Sequence, residues 1–564
     1  MKKYLTYQNL LWGILILALA LRIWGAGNQD LFGDEAPDAF RAIGYLDFLG
    51  TSFQTQLVDW YKNQALPWWG GLSFHDLPPL GILIMNFFFR LFGDSIWIAR
   101  LPAIVLGVIS VYLVYLLVKK LFANETAALF SALFFAVNGA LVWVFRTSML
   151  EPLLLFFIIL NIYCFFQFVE NRRRWWLFGL TLGLVALTKY TGIFLLPVYF
   201  FYLILNPPAR LLFRNWRLYA ALGFALLLFS PVIVYNFYLY QAVGHFDLQL
   251  AYLFGQETPE WTGLAGKVQS PFSDLWRNLT FQQLDRGTGL AWPVGYYGIL
   301  AVIVALGGLI RSIFVFKQKR LPGILFFWLY LIFLTLLLVK IGSAHRFLAL
   351  YGPAFAILVG FWAAHLWEWR KDGAGLPIFK IAIAVFFIWE MIHAVNVNFI
   401  SMPDYGMAKL DHYFEEEFAG KRSAVIPESD NSHLNKVIHE FASRKSKISD
   451  RQFWLIVYND NVALPTLEWV FYRRFFYHNM PALFVENFTK VVNERGLEYF
   501  DGFRIYFVQS TDQTLLNSFK ADKKAGEEFE RYLQSRGLQP AKIIEGSDSR
   551  TMFRVYKFLI SDII

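Results

Sequence analysis

Long apolar runs separated by short polar stretches dominate the first 400 residues of the chain. A helix needs about 20 apolar residues to cross the hydrocarbon core of a bilayer. About eleven runs approach that length, which predicts an α-helical polytopic membrane protein. The predicted spans lie near residues 8–26, 95–118, 122–144, 150–169, 174–190, 191–205, 217–239, 293–316, 322–341, 346–367 and 377–397.

The basic residues predict how the chain is oriented in the membrane. Lys2 and Lys3 precede the first run, and the strongest Lys/Arg clusters fall in alternate loops. Because cytoplasmic loops carry an excess of Lys and Arg, we expect the N-terminus inside and the C-terminus outside. The first run lacks an early small-residue cleavage site, so we expect it to be a retained anchor. The apolar stretch 78–93 would invert every later loop if it crossed, which predicts an interfacial or re-entrant helix on the outer face.

The polar segments predict two domains. Residues 1–400 form a transmembrane domain with two large outer loops, 27–94 and 240–291. Residues 401–564 carry the pattern of a soluble α/β domain outside the membrane. In this tail we predict strands at Trp454–Tyr458 and Phe503–Val508, a helix at Lys523–Gln534 and a closing strand near Met552–Phe558.

Composition supports the membrane assignment and argues against a nucleic-acid-binding protein and a disulfide-rich protein. The chain is 57% hydrophobic and 16% charged, whereas soluble domains are about 25% charged. Its net charge of +9 comes from the first 400 residues, largely from short loops, so it indicates topology rather than a nucleic-acid surface. A single cysteine, Cys164, excludes an intrachain disulfide framework.

Several acidic residues near the predicted outer face are candidates for chemistry. Asp34 and Glu35 stand just outside the first span, where they could act as a general base, bind a cation, or simply begin a helix. Glu151 lies at the outer end of a span, where an ionisable side chain is costly unless it is paired. Arg146, five residues earlier, is its expected partner, in a functional site or in a purely structural ion pair.

Several basic residues are predicted on the outer side, although Lys and Arg are usually in excess in cytoplasmic loops. Their position therefore needs an explanation. Lys189 and Arg346 lie at predicted outer turns, and His75 ends the first outer loop beside Asp76. An anionic lipid-phosphate substrate would explain them, and snorkelling to lipid headgroups is the alternative. His75 with Asp76 could equally bind a metal or a hydroxyl group. Because these groups share one membrane face, the pattern favours an enzyme over a transporter with a midplane site.

Four motifs occur in an order that resembles a known family. They are Asp34-Glu35, His75–Pro79 followed by Ala99–Pro102, Arg146 with Glu151-Pro152, and Gly183–Lys189. In this order the chain resembles the GT-C glycosyltransferases of the protein-O-mannosyltransferase and aminoarabinose-transferase type. The resemblance covers residues 1–205 well, the remaining spans loosely, and the tail barely.

The resemblance implies a specific reaction. A sugar moves from a polyprenyl-phosphate donor to a hydroxyl group outside the membrane, with inversion at the anomeric carbon. Asp34 matches the family's base or acceptor-binding residue, with Glu35 as its companion, and Glu151 matches the second acidic position. Arg146 matches an arginine near the donor phosphate. The His75–Pro79 element is two residues longer than the family's common form.

General chemistry adds further expectations. Arg146, Lys189, Arg346 or a divalent metal could neutralise the leaving phosphate. Asp34 and Glu151 are the candidate metal ligands. The sequence requires no other cofactor. We expect a protein, lipid or glycan acceptor, contact with membrane lipid, no nucleic acid, and a bacterial inner membrane with the active site facing the periplasm.

Two other functions fit parts of the pattern. One is a transporter or flippase for lipid-linked sugars, and the other is a non-catalytic scaffold whose outer domain binds glycan. Detecting the release of polyprenyl phosphate distinguishes the enzyme from both.

Overall fold

A computed structural model describes residues 6–50, 54–261, 272–280, 296–319, 322–368, 378–444, 451–459, 462–511, 524–547 and 549–563. Its internal contacts divide the chain into two compact units. The membrane unit consists of Met1–Ala26, Trp69–Ile84 and Arg100–Met402. The tail unit consists of Gly27–Trp68, Met85–Ala99 and Pro403–Ile564. The tail unit therefore includes much of the loop predicted at 27–94.

The expectation of an α-helical polytopic protein is confirmed. Within the described ranges, seven helices are long and apolar enough to cross a membrane: Ile96–Phe122, Glu151–Glu170, Trp216–Val243, Ile299–Phe316, Pro322–Ile341, His345–Glu368 and Ile378–Ile400. The pair Tyr190–Leu205 and Pro207–Arg214 passes the same criteria together but is bent by 108°. Each predicted span overlaps at least one helix, although residues 293–295 lie outside the described residues. The number of crossings stays a prediction.

Shorter helices complete the first 400 residues. They are Tyr7–Ile23, Glu35–Gly44, Leu57–Trp60, Leu80–Phe92, Glu125–Val137, Gly139–Val144, Trp175–Thr188, Leu248–Phe254 and Phe272–Thr280. Leu80–Phe92 confirms that the stretch 78–93 is helical, and its interfacial placement stays a prediction. The outer loop predicted at 240–291 contains the last two of these helices, and its residues 262–271 and 281–291 lie outside the described residues.

The predicted span 122–144 is broken at Asn138. The Asn138 side chain caps the following helix by accepting a hydrogen bond from the Leu141 N–H at 3.4 Å. The same side chain donates to Glu390 Oε2 at 2.6 Å. Asparagine favours helix caps because its side chain satisfies the unpaired N–H groups of a first turn. The chain then reaches Arg146 and begins a new helix at Glu151, with Pro152 in its first turn.

The turn predicted near Lys189–Gly192 is confirmed. Helix Trp175–Thr188 ends with Lys189 as its C-cap residue, and a 3₁₀ turn follows at Tyr190–Phe194. At Gly192, an added Cβ would lie 2.3 Å from Val185 Cγ1 and 3.1 Å from Leu154 Cδ1. Glycine thus lets this turn pack closely against helix Glu151–Glu170, which brings Lys189 toward the start of that helix.

The α/β pattern predicted for residues 401–564 is confirmed. The described part of the tail unit contains a six-stranded sheet of β1 (Arg422–Ser423), β2 (Arg451–Tyr458), β3 (Ala482–Phe484), β4 (Phe503–Ser510), β5 (Lys542–Glu545) and β6 (Thr551–Leu559). The order is β1-β2-β4-β6-β5, with β3 also paired to β2. Strand β4 lies parallel to β2 and antiparallel to β6. That the tail is soluble and external stays a prediction.

Helices and a small apolar core support this sheet. The longer helices of residues 401–564 are Met407–Glu417, Ser432–Arg444, Val485–Arg495 and Lys524–Ser535. The last matches the predicted helix, whose first residue, Lys523, lies outside the described residues. Leu455, Ile505 and Phe507 from the strands pack with Phe488 and Leu533 from two of the helices.

Asp30 links the first loop to the tail within the tail unit. Its carboxylate accepts hydrogen bonds from the Tyr405 N–H at 2.6 Å and the Ala408 N–H at 2.7 Å, at the start of helix Met407–Glu417. Because Asp30→Ala leaves both N–H groups without their acceptor, we expect the free energy of unfolding to fall by about 1–2 kcal/mol. Thermal unfolding would measure this, with Glu416→Ala as an exposed control on the same helix. Equal stabilities for the two variants would contradict the role of Asp30.

Candidate active site

Glu151 forms the centre of a charged cluster in the membrane unit. Its side chain is 2% exposed, and its Oε1 accepts a hydrogen bond from Lys189 Nζ at 2.6 Å. Arg346 Nε lies 3.6 Å from the same oxygen. The two cations are more exposed than the acid, at 18% for Lys189 and 25% for Arg346. One carboxylate therefore faces two cations in this cluster, and both cations are more accessible than the acid.

All three charged residues of this cluster lie at the end of a helix or in a very short helix. Glu151 is the first residue of its helix, Lys189 caps the end of another, and Arg346 lies in the short helix His345–Leu348. The ring of Phe347 supports both cations, with its centroid 5.2 Å from Lys189 Nζ and 5.1 Å from Arg346 Cζ. Sequence reasoning missed Phe347, and its position beside Arg346 was the only signal available.

Arg146 makes contacts different from those expected. Its Nη1 donates to the backbone oxygens of Leu21 at 3.0 Å and Arg22 at 3.2 Å. Its guanidinium lies 4.5 Å from the centroid of the Phe399 ring. These oxygens belong to the last turn of helix Tyr7–Ile23, where a cation satisfies unpaired carbonyls. The ion pairs of Glu151 are with Lys189 and Arg346, while Arg146 holds the end of the first helix.

A second polar group joins the loop after residue 240 to the Lys189 turn. Asp247 accepts hydrogen bonds from the Tyr190 hydroxyl at 2.5 Å and from Asn236 Nδ2 at 2.7 Å. Burial raises the pKa of Asp247 to about 6, and the charge of Asp76 acts in the same direction. Tyr190 directly follows Lys189, so Asp247 fixes the chain beside a candidate phosphate ligand. Sequence reasoning did not identify this contact.

His75 lies near the same loop. Its side chain is fully buried, its backbone oxygen accepts a hydrogen bond from the Leu248 N–H at 2.8 Å, and its ring centroid is 5.8 Å from that of His245. His245 Nε2 lies 2.7 Å from Glu260 Oε2. His75 thus belongs to the packing of two loops, which accounts for its burial.

Asp34 and Glu35 belong to the tail unit. Asp34 is the residue before helix Glu35–Gly44, but its side chain makes no capping hydrogen bond. Glu35 is fully buried, and its Oε2 accepts a hydrogen bond from the Phe32 N–H at 3.0 Å. Glu35 therefore stabilises the start of the helix, whereas the half-buried Asp34 does not serve that purpose with its side chain.

The structure thus brings Glu151, Lys189 and Arg346 together in one unit and keeps Asp34 beside Glu35 in the other. Across the described ranges, no group of three or more His, Cys, Asp or Glu side chains is arranged to hold a metal ion. Asp34 and Glu151, the candidate metal ligands, belong to different units. Dependence on a divalent metal stays a prediction.

Comparisons with known proteins connect these features to a family. The family model described as dolichyl-phosphate-mannose-protein mannosyltransferase matches residues 76–235. This range begins one residue after His75 and includes Arg146, Glu151 and Lys189. A similar protein is the undecaprenyl phosphate-alpha-4-amino-4-deoxy-L-arabinose arabinosyl transferase of Pseudomonas aeruginosa, which is 28% identical over 165 residues. That match spans 28% of this chain and only 28% of the relative's length.

Solved structures show the likeness over the whole chain. ArnT from Cupriavidus metallidurans in the apo state aligns with a TM-score of 0.53 and 12% identity over 99% of each chain. Its complex with undecaprenyl phosphate aligns with a TM-score of 0.50 over 98% of each chain. The oligosaccharyltransferase of Archaeoglobus fulgidus aligns with a TM-score of 0.51 and 12% identity, over 90% of this chain and 70% of its own. The chain therefore has the polytopic membrane fold of the GT-C glycosyltransferases, and the family resemblance predicted from its ordered motifs is confirmed.

Proposed function

We propose that this protein is a membrane glycosyltransferase that moves a sugar from a polyprenyl-phosphate donor to a hydroxyl acceptor on the extracytoplasmic face. The observation that carries the proposal is the buried Glu151, which holds two partly exposed cations, Lys189 and Arg346. A donor phosphate is the kind of anion that such a pair of cations binds. The names of the relatives support a polyprenyl carrier, since ArnT has been crystallised with undecaprenyl phosphate.

The proposed reaction is a single displacement. Asp34 accepts the proton of the acceptor hydroxyl while that oxygen attacks the anomeric carbon. The bond from this carbon to the phosphate oxygen breaks, and the polyprenyl phosphate leaves with the bonding electrons. Lys189 and Arg346 stabilise the charge that develops on this phosphate. Attack from the face opposite the leaving group inverts the anomeric centre.

The other candidate residues have supporting roles in this scheme. Glu151 is committed to its two cations, so we assign it the task of positioning them. Glu35 acts as the companion of Asp34 by stabilising the start of the same helix. Arg146 and His75 are only secondary candidates for donor contact, because both residues are buried. The Arg146 side chain binds a backbone oxygen of the first helix, and the backbone oxygen of His75 binds the Leu248 N–H.

The surroundings of the reaction follow from the same scheme. The prenyl chain of the donor requires a site open to membrane lipid, which agrees with a polytopic fold. We propose a bacterial inner membrane with the site facing the periplasm. The acceptor is a hydroxyl group of a protein, a lipid or a glycan, and no nucleic acid takes part.

A donor-release assay tests this function. Detergent-purified protein is incubated with polyprenyl-phosphate sugars, an acceptor extract from the source cells and divalent metal. Mass spectrometry then follows free polyprenyl phosphate and the glycosylated acceptor, with and without a chelator. We expect one donor to yield both products, and the acceptor's mass gain names the sugar. If no donor yields polyprenyl phosphate above the level of heat-inactivated protein, the proposal is wrong.

A further inference from the structure

Six arginines lie in two loops of the membrane unit, away from the candidate active site. One loop precedes helix Trp175–Thr188 and the other precedes helix Trp216–Val243. Helix Trp175–Thr188 has 14 residues, so it is about 21 Å long, and Lys189 directly follows its last residue. The six residues, which we call the arginine surface, are Arg172, Arg173, Arg174, Arg210, Arg214 and Arg217.

Close packing of the two helices brings the two loops together. An added Cβ at Gly179 would lie 2.5 Å from the backbone oxygen of Ala221, so glycine lets the helices approach closely here. At the starts of the helices, the ring centroids of Trp175 and Trp216 lie 6.1 Å apart. Three arginines directly precede Trp175, and two more flank Trp216 within two positions. The two loops therefore form one basic surface.

The charge of the arginine surface is not neutralised within the protein. None of its six residues pairs with a carboxylate among the residues that the structure describes. The loop after helix Ile96–Phe122 provides a contrast, because Lys119 pairs with Glu125 at 2.5 Å and Lys120 pairs with Glu170. The excess of Lys and Arg in cytoplasmic loops explains basic residues in both places, but not why only one group has acidic partners. An anion from outside the chain would explain this difference.

Two of the arginines present guanidinium groups that make no contact with a protein acceptor. Arg172 and Arg210 are anchored, because each donates to a backbone oxygen of a preceding helix, at 2.9 Å and 2.6 Å. Arg173 and Arg214, one from each loop, are exposed, and within the described ranges their side chains donate no hydrogen bond. A guanidinium group binds phosphate oxygens through two parallel hydrogen bonds. A phosphate group is therefore the anion that this surface fits best.

Exposed apolar side chains beside the arginines indicate that this phosphate belongs to a lipid. Trp176, Leu211 and Trp216 are all exposed, although each is large and apolar. Tryptophan is enriched at the level of the lipid headgroups, where membrane helices leave the bilayer. The segment Pro207–Arg214 is bent by 108° from the helix before it, so it runs across the direction of that helix. A soluble acidic protein would match the charge of the surface but not its apolar border.

We propose that the arginine surface binds the phosphate headgroup of an anionic phospholipid, in the leaflet opposite the candidate active site. The phosphate contacts Arg173 and Arg214, and the acyl chains lie along the exposed apolar side chains. In the orientation predicted from the sequence, this leaflet is the cytoplasmic one, whose surface is negatively charged. The inference does not rest on the proposed function, because a transporter or a scaffold with this fold would present the same surface.

Lipid binding to the whole chain tests this inference. Native mass spectrometry from a neutral detergent gives apparent Kd values for phosphatidylglycerol, which is anionic, and for phosphatidylcholine, which has no net charge. We expect phosphatidylglycerol to bind more tightly by about 30-fold or more. Combining Arg173→Gln with Arg214→Gln should remove about 30-fold of its affinity, since each basic residue near an anionic surface contributes about a factor of five.

Two controls separate this binding from general charge effects and from the candidate active site. Lys119→Gln with Lys409→Gln removes the same net charge from cations that already pair with carboxylates. The affinity for phosphatidylglycerol should then stay within about threefold of the wild type. Lys189→Met should also keep the affinity, because Lys189 follows the other end of helix Trp175–Thr188. A loss of binding in Lys189→Met but not in the arginine variant would overturn the inference.

Thermal unfolding distinguishes lost binding from lost folding. In neutral detergent, the arginine variant should melt at the wild-type temperature, because the two side chains donate no hydrogen bond to the described part of the chain. Phosphatidylglycerol should raise the melting temperature of the wild type but not of the variant, since a ligand of the folded state stabilises it. Arg173→Lys with Arg214→Lys keeps both charges and should bind more tightly than the glutamine variant. An equal loss in both variants contradicts the inference.

Three further outcomes decide the identity of the ligand. If phosphatidylglycerol binds no better than phosphatidylcholine, the surface does not select an anionic lipid and the inference is wrong. Unchanged binding in the glutamine variant has the same meaning, and leaves an acidic protein as the candidate partner of the surface. Glycerol phosphate at the same concentration as the lipid should not displace it, because it lacks the acyl chains. Full displacement would identify a soluble phosphate as the ligand and overturn the inference.

Discussion

Asp34→Asn is expected to lower the rate of sugar transfer by about 10²–10⁴-fold while the protein stays folded. Asparagine has nearly the shape of aspartate but cannot accept the hydroxyl proton. The Asp34 side chain makes no capping hydrogen bond, so the substitution should leave helix Glu35–Gly44 in place. The measurement is kcat for polyprenyl-phosphate release with the donor saturating.

The control for Asp34→Asn removes one carboxylate charge from an exposed position of the same unit. Glu416→Gln does this on the exposed face of helix Met407–Glu417. Both variants should show wild-type melting temperatures, and only Asp34→Asn should lose turnover. A rate for Asp34→Asn within about threefold of the control would remove Asp34 from the mechanism, because general-base catalysis contributes far more than that.

Much of the membrane fold could be predicted because the bilayer imposes one simple rule. Every backbone polar group in hydrocarbon must be satisfied within its own segment, so apolar runs of sufficient length become helices. The break at Lys189 was predictable as well, because basic clusters on both sides of residues 175–205 require an even number of crossings. The break at Asn138 was not, since it depends on side-chain hydrogen bonds to Leu141 and Glu390.

The partners of the site residues could not be read from the sequence. Arg146 is the basic residue closest in sequence to Glu151, yet Lys189 and Arg346 provide the ion pairs, from 38 and 195 positions away. These pairs depend on where helices end and how tightly the turn at Gly192 packs. The hydrogen bonds that Asp30 accepts from the start of helix Met407–Glu417 depend likewise on contacts between the first loop and the tail, which leave no periodic pattern in the sequence.

Lys189→Met is expected to lower kcat/KM for the polyprenyl-phosphate donor by about 10–100-fold. A hydrogen bond to a charged group contributes about 1.5–3 kcal/mol, and each 1.4 kcal/mol corresponds to about a factor of ten. Methionine keeps the length and apolar stem of lysine and removes only the ammonium group. Steady-state kinetics with the donor varied would measure the effect, and the loss should appear mainly in KM if Lys189 binds the phosphate equally in the ground and transition states.

A structural role for Lys189 predicts the same loss for a different reason. If its only task is to neutralise the buried Glu151, then Lys189→Met leaves that carboxylate with Arg346 alone at 3.6 Å and distorts the site. In that case, adding Glu151→Gln removes the negative charge that Lys189 had neutralised, and kcat/KM should be restored. If Lys189 binds the donor phosphate, the double variant recovers melting temperature but not donor affinity, because the missing cation has not been replaced. Recovery of both would assign Lys189 to the structure of the site and leave Arg346 as the proposed phosphate ligand.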